Sequence, residues 1–188
     1  MAGRPVDQQR RDELLDAVVS YAVDHGLAAV TWRPLATALG VTPTTLVHRF
    51  GSKEGMLEAV QRRLRERILA ETTPPGGEQT DLPTYARRVW ERASDPSREG
   101  EFRLFFAVYG QALQEPRLFA DFLAHVVAAP LTAFADATTP DARPAVTLAI
   151  ASIRGLLLDL LTTGDRNRIT AAAESLFAAL ASPAVHRR

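Results

Sequence analysis

Between Thr42 and Phe50, four side chains fall on the side that a short helix would turn to solvent: Thr44, Thr45, His48 and Arg49. Short hydroxyls come first and longer donors follow. Hydroxyls suit phosphates and base edges, threonine methyls suit the thymine methyl, and arginine takes guanine through two hydrogen bonds. A histidine there donates to a phosphate. The free N–H groups and dipole at a helix start favour the same anion. The chemistry these residues offer is recognition of duplex DNA rather than making or breaking of bonds.

Such residues work only if two helices hold them at a fixed angle, and the flanking sequence predicts that. Thr31 is placed to cap a helix over Trp32–Leu39, with Pro34 in its first turn, where a missing N–H is harmless. Gly40 permits the positive φ of a sharp turn. Thr42 caps the next helix, Pro43 takes its favoured first position, and the helix ends near Phe50-Gly51. Leu35, Leu39, Val41, Leu46 and Phe50 form the apolar seam, with small Ala36 where the second helix crosses. This is the pattern of a helix-turn-helix, whose second helix enters the major groove. A glycine-turned helical hairpin without a DNA role fits the same spacing.

Before this unit, Leu14, Leu15, Val18, Val19 and Ala22 form one stripe of a helix over about Asp7–His25. After it, Ser52 caps a fourth helix carrying Met56, Leu57, Val60 and Leu64, whose charged end, Arg62–Arg67, is expected in solvent. Thr72–Asp81, with paired prolines and paired glycines, reads as the loop between two functional regions. Helices are then predicted over Leu82–Ser94, Pro96–Gln114, Pro116–Ala137 with a kink at Pro130, Asp141–Thr163 and Arg166–Ala181. No strand pattern is present. The penultimate helix is apolar nearly all round, which calls for cover on more than one side, and a second subunit would supply it. Arg154 and Asp159 lie inside this apolar helix and need partners, either within the fold or in a pocket.

Composition bounds the rest. The 188 residues correspond to about one domain plus a small module. There is no cysteine, which removes disulfides, thiolate metal sites and a cysteine nucleophile. Lys53 is the single lysine among 22 basic residues, and 22 acidic residues balance them. The first 67 residues carry +2 and the remainder −2, and Ala28–Lys53 contains three basic residues and no acid. The N-terminus lacks an apolar segment and no uninterrupted apolar run reaches the ~18 residues of a membrane span, so a cytoplasmic location without membrane attachment is expected. Enzymatic chemistry has little support: there is no phosphate loop or nucleophile elbow, and the four histidines are scattered. Asp121 and His125 share a helix face as a surface pair rather than a metal site. No cofactor and no metal are expected.

The Leu14-Leu15-x-x-Val18 stripe, Gly26, Thr31, Leu35-Ala36, Leu39-Gly40-Val41, Leu46, Phe50-Gly51-Ser52-Lys53-Glu54 and Leu57 resemble the N-terminal domain of the TetR family of bacterial regulators, over about residues 10–64. The segment Arg154–Asp159 resembles part of a late helix of some members. The resemblance implies a homodimer with two DNA-reading heads and a helical body that binds a small-molecule effector and thereby releases the operator. Position by position it implies DNA contacts at Arg33, Thr42, Thr44, Thr45, Arg49 and Lys53, with His48 beside them. Two departures stand out: Val47 replaces a frequent tyrosine and has no donor, and Arg49 replaces a histidine. Arg4, Arg10 and Arg11 are candidates for a basic arm in the minor groove.

These readings combine into an all-α protein. Residues 1–53 are expected to form a three-helix, helix-turn-helix DNA-binding domain, 54–71 a connecting helix, and 72–188 an effector-binding and dimerisation bundle. Effector contacts are expected from Trp90, Phe105, Phe106, Tyr109, Phe122, His125 and Arg154, where ring surface is concentrated beside a few polar groups. The dimer interface is expected at Ile153, Leu157, Leu161, Ile169, Leu176, Phe177 and Leu180. The function implied is a transcriptional regulator, a repressor released by its effector, whose partners are operator DNA, the effector and a second copy. The rivals are a ligand-binding or enzymatic bundle with a purely structural helix-turn-helix, and an interaction protein that dimerises through its last two helices.

Overall fold

A computed structural model describes residues 3–70, 80–137 and 143–182. Every regular element among them is helical. In chain order they are α1 (Gly3–His25), α2 (Trp32–Leu39), α3 (Pro43–Phe50), α4 (Lys53–Ala70), α5 (Leu82–Ala93), α6 (Glu99–Gln114), α7 (Ala120–Val126), α8 (Ala128–Ala137), α9 (Arg143–Thr163) and α10 (Arg166–Ala181). Short 3₁₀ turns at Leu27–Ala29 and Pro96–Arg98 join α1 to α2 and α5 to α6. Most of the loop expected over Thr72–Asp81, and the side chain of Arg4, lie outside the described residues.

The chain gathers into two compact units. One contains Met1–Arg67 and Arg103–Ala124; the other contains Ile68–Phe102 and His125–Arg188. Part of the segment expected in the body, Arg103–Ala124, therefore groups with the head.

In the first unit Val18, Val19, Ala22, Val30, Leu35, Leu46, Met56, Val60 and Leu64 are buried. All but Val30 are apolar positions of α1 to α4 at helical spacing, and of the stripes read from sequence Leu14, Leu15 and Leu57 are only half-buried. The charged end of α4 is not a solvated tail. Arg63 reaches back to Asp16 on α1 through Nε–Oδ1 at 2.8 Å and a second N–H to Oδ2 at 2.7 Å, and Arg67 donates to Oδ1 at 2.7 Å. Hydrogen bonding by the two guanidiniums outweighs desolvation and lowers the Asp16 carboxyl to about 2. Arg65 pairs with Asp121 of α7 at 3.2 Å. Alternate arginines of α4 thus tie it to α1 on one side and α7 on another, contacts 47 to 56 residues apart in sequence that periodicity does not reveal.

In the second unit α5, α9 and α10 pack together, with α8 against α9. Arg87 of α5 lies 4.7 Å over the ring of Phe177 and pairs with Glu174 of α10. α9 is long and apolar enough, by length and composition, to cross a membrane, with a mean hydropathy of 1.7. Arg154 and Asp159 interrupt it, and each is tied to protein. Arg154 donates to the main-chain carbonyl of Val126, while both oxygens of Asp159 accept from Arg168 at 2.8 Å. Packed on three neighbours with its charges paired, α9 is a bundle helix.

The kink expected at Pro130 is a break three residues earlier. α7 ends at Val126, and Pro130 occupies the first turn of α8. Proline suits a first turn because its fixed φ is already helical.

Candidate nucleic-acid interface

The helix-turn-helix forms with the limits its sequence predicts, and local hydrogen bonds explain why. Gly40 adopts φ 64°, and its N–H and that of Val41 return to carbonyls of α2, closing the turn. Thr31 occupies the N-cap position of α2 without a side-chain cap bond, so only its carbonyl serves the helix. Thr42 does cap α3: its hydroxyl accepts from the Thr45 N–H at 3.1 Å and bonds the Thr45 hydroxyl at 2.9 Å. Leu35, Ala36 and Leu46 are buried, which fixes the crossing of α2 and α3.

α4 begins directly after this unit. The Ser52 hydroxyl accepts from the Gly55 N–H at 3.0 Å. A Cβ on Gly55 would stand 2.5 Å from the carbonyl oxygen of Phe50, so this glycine lets the end of α3 and the start of α4 approach closely. Glu54 lies in the first turn of α4, and its carboxyl is held below the usual range by its own backbone N–H and the Ser52 hydroxyl.

This scaffold leaves Arg33, Thr42, Thr44, Thr45, His48 and Lys53 exposed. Arg49 differs from the expectation. It is half-buried and lines a cleft with Arg11, Arg62, Phe50 and Gly55, on the α1–α4 side of the head. Thr42 and Thr45 spend part of their hydrogen-bonding capacity on each other. The residue that sequence reasoning undervalued is Val47. It is 42% exposed, and with Trp32, Pro34, Pro43 and Thr44 it lines a groove between the starts of α2 and α3. The available signal was the i, i+4 spacing of Pro43 and Val47, which places two apolar side chains on one outward face.

The other expected sites divide between the two units. Phe105, Phe106, Tyr109 and Phe122 belong to the first and form a ring cluster, with centroids 5.3 to 6.0 Å apart. Tyr109 and Phe122 meet edge to face at 90°, as aromatic rings in a core do. Trp90, His125 and Arg154 belong to the second unit; Trp90 is buried and His125 exposed. The residues expected at a dimer interface are largely used inside one protomer. Ile153, Leu157, Ile169, Phe177 and Leu180 are buried there, while Leu161 and Leu176 are half-buried. The exposed large apolar residues of α9 are instead Leu148 and Leu158. Among the described residues no cluster of three or more histidine, aspartate or glutamate side chains is arranged to hold a metal ion.

Residues 14–60 match the family model of bacterial regulatory proteins, tetR family. Over 53 residues the chain is 45% identical to the HTH-type transcriptional repressor KstR2 of Mycolicibacterium smegmatis, covering 28% of this chain and 26% of that protein. Over 112 residues it is 27% identical to the HTH-type transcriptional regulator BetI of Burkholderia mallei, covering 58% of this chain and 57% of that protein. The matches therefore span well under two thirds of these relatives. Among solved structures, a transcriptional regulator from Rhodococcus sp. Rha1 superposes with a TM-score of 0.71 at 20% identity, over 90% of this chain and 95% of that one. The multidrug binding protein EbrR, complexed with imidazole, superposes with a TM-score of 0.69 at 22% identity, over 92% and 89%. At these identities the structural likeness carries the fold, which extends along nearly the whole chain.

Proposed function

We infer that this chain, which belongs to the TetR family of bacterial regulatory proteins through its residues 14–60, is a cytoplasmic DNA-binding transcriptional regulator that acts as a repressor. The observation that carries the reading is the helix-turn-helix surface. Thr44, Thr45 and His48 stand exposed on α3, with Arg33 and Lys53 beside them, in a stretch from Ala28 to Lys53 without an acid. Hydroxyls and cations without opposing carboxylates suit a phosphate-lined groove. The protein works as a homodimer that reads two half-sites. An isologous contact needs a surface complementary to itself, and the outward stripe of α9 holding Leu148 and Leu158 supplies one that the protomer core leaves exposed.

The effector is a small molecule taken up beside the aromatic cluster of Phe105, Phe106, Tyr109 and Phe122. EbrR, which shares the fold, is a multidrug binding protein, which supports a small-molecule ligand for this chain. Arg154 is occupied with the Val126 carbonyl and acts as a support.

The test is a gel shift with the full chain on DNA flanking its own gene, across several salt concentrations. A retarded complex on a palindromic site, weakening steeply with salt, supports the reading. A folded protein that retards no flanking fragment overturns it. Light scattering should give a dimer, and Leu148→Glu with Leu158→Glu should yield monomers; a wild-type monomer contradicts the dimer.

A further inference from the structure

The DNA-facing surface is not uniformly polar. The groove between the starts of α2 and α3 is walled by Trp32, Pro34, Pro43, Val47 and the side chain of Thr44. Its volume is about 590 Å³, which falls within the size range of small-molecule sites. It opens broadly to solvent, however, whereas such sites enclose most of their ligand. Its position on the leading edge of α3, with the exposed Arg33 on its rim, points to a duplex instead. The absence of any acid between Ala28 and Lys53 complements the charge of such a partner. The major groove offers one apolar group in an otherwise polar edge, the C5 methyl of thymine. Val47, an exposed branched aliphatic on a reading helix, is matched to that group and to no phosphate.

We propose that Val47, with Pro43 and the Thr44 methyl, reads a thymine C5 methyl in each operator half-site. This rests on the DNA-binding reading above and adds a base identity to it. Val47 is one turn along α3 from Pro43, so the two side chains stack on one face and form one apolar edge. Thr45 and His48 lie on the adjoining face and are left for phosphates and polar base edges. Exclusion of one methyl from water, at about 0.8 kcal/mol, corresponds to roughly fourfold in affinity per half-site, and roughly fifteenfold for a dimer on two.

The experiment uses the full chain and a random duplex library, from which bound sequences are enriched. Each thymine of the enriched site is then replaced, one symmetric pair at a time, by deoxyuridine, which removes only the methyl. The expected result is one pair at which affinity drops roughly fifteenfold. In Val47→Ala that drop should shrink to near unity, while the salt dependence of binding stays that of the wild type. Equal affinity for thymine and deoxyuridine at every position overturns the proposal and leaves DNA binding intact. So does a full deoxyuridine penalty retained in Val47→Ala. Failure to enrich any sequence overturns the DNA-binding reading and the proposal with it.

Discussion

The guanidinium of Arg154, on α9, donates to the main-chain carbonyl of Val126, the last residue of α7. Four residues beyond Val126 stands Pro130, which has no N–H to offer that carbonyl. A charged side chain in the middle of an apolar helix is thereby explained: it satisfies an acceptor that the backbone cannot.

Truncating Arg154 should therefore act on stability first. Arg154→Met is expected to lose about 1–3 kcal/mol, because a carbonyl within the bundle is left without its donor. Restoring an N–H with Pro130→Ala should reduce that loss, so the double variant is less destabilised than the two single losses added together. Urea denaturation of the four proteins measures this. Strict additivity would show that Pro130 and Arg154 are not coupled.

Asp16 should give the protein an acid-sensitive component. Its carboxyl is lowered to about 2, mainly by the hydrogen bond from Arg63, from an ordinary value of 3.8. A depressed folded value stabilises above the unfolded one, and the stabilisation disappears as pH falls from about 4 towards 2. The two guanidiniums are 27% and 30% exposed and Asp16 is 37% exposed, so solvent screening brings the effect down to about 1 kcal/mol. Asp16→Asn should be less stable near neutrality and should lack this part of the pH slope, as denaturation at pH 3 and pH 6 would show.

Gly55→Ala sets two effects against each other. An alanine inside a helix ordinarily gains up to about 1 kcal/mol over glycine. Here its Cβ would stand 2.5 Å from the Phe50 carbonyl, a backbone atom that moves only with the end of α3. The clash should win, so the variant melts lower than wild type and binds operator more weakly. A higher melting temperature would show that the α3–α4 corner yields easily.

Gln61 is a buried polar side chain, 4% exposed, and its Nε2 has no acceptor among the described residues. Gln61→Met keeps the shape and removes the unsatisfied group. A gain of about 1 kcal/mol is expected in urea denaturation. A loss would show that the amide finds a partner in solution.

What could be read from the sequence follows from the range of each signal. α2, α3 and α10 begin and end where expected, and for the first two this is because Gly40, Thr42 and Pro43 act on their immediate neighbours. The contacts of Arg63 and Arg67 with Asp16 were invisible, since a charged helix end looks alike whether solvated or paired far along the chain. α9 was correctly expected to need cover on several sides, but an all-round apolar helix does not say which stripe meets which neighbour. Ile153 and Leu157 proved to belong to the protomer core, and Leu148 and Leu158 to its exterior. The sequence shows Val47 with Pro43 on one face of α3, but not that Trp32 and Pro34 of α2 complete the groove, because those come from another helix.

The hydroxyl of Thr42 and the buried Leu46 hold α3 in place, while Pro43, Thr44, Val47 and His48 are exposed. The residues that hold this helix and those it presents to solvent are thus different ones. Exchange of Thr44, Val47 or His48 should therefore change what this surface meets while leaving the contacts that hold α3 untouched.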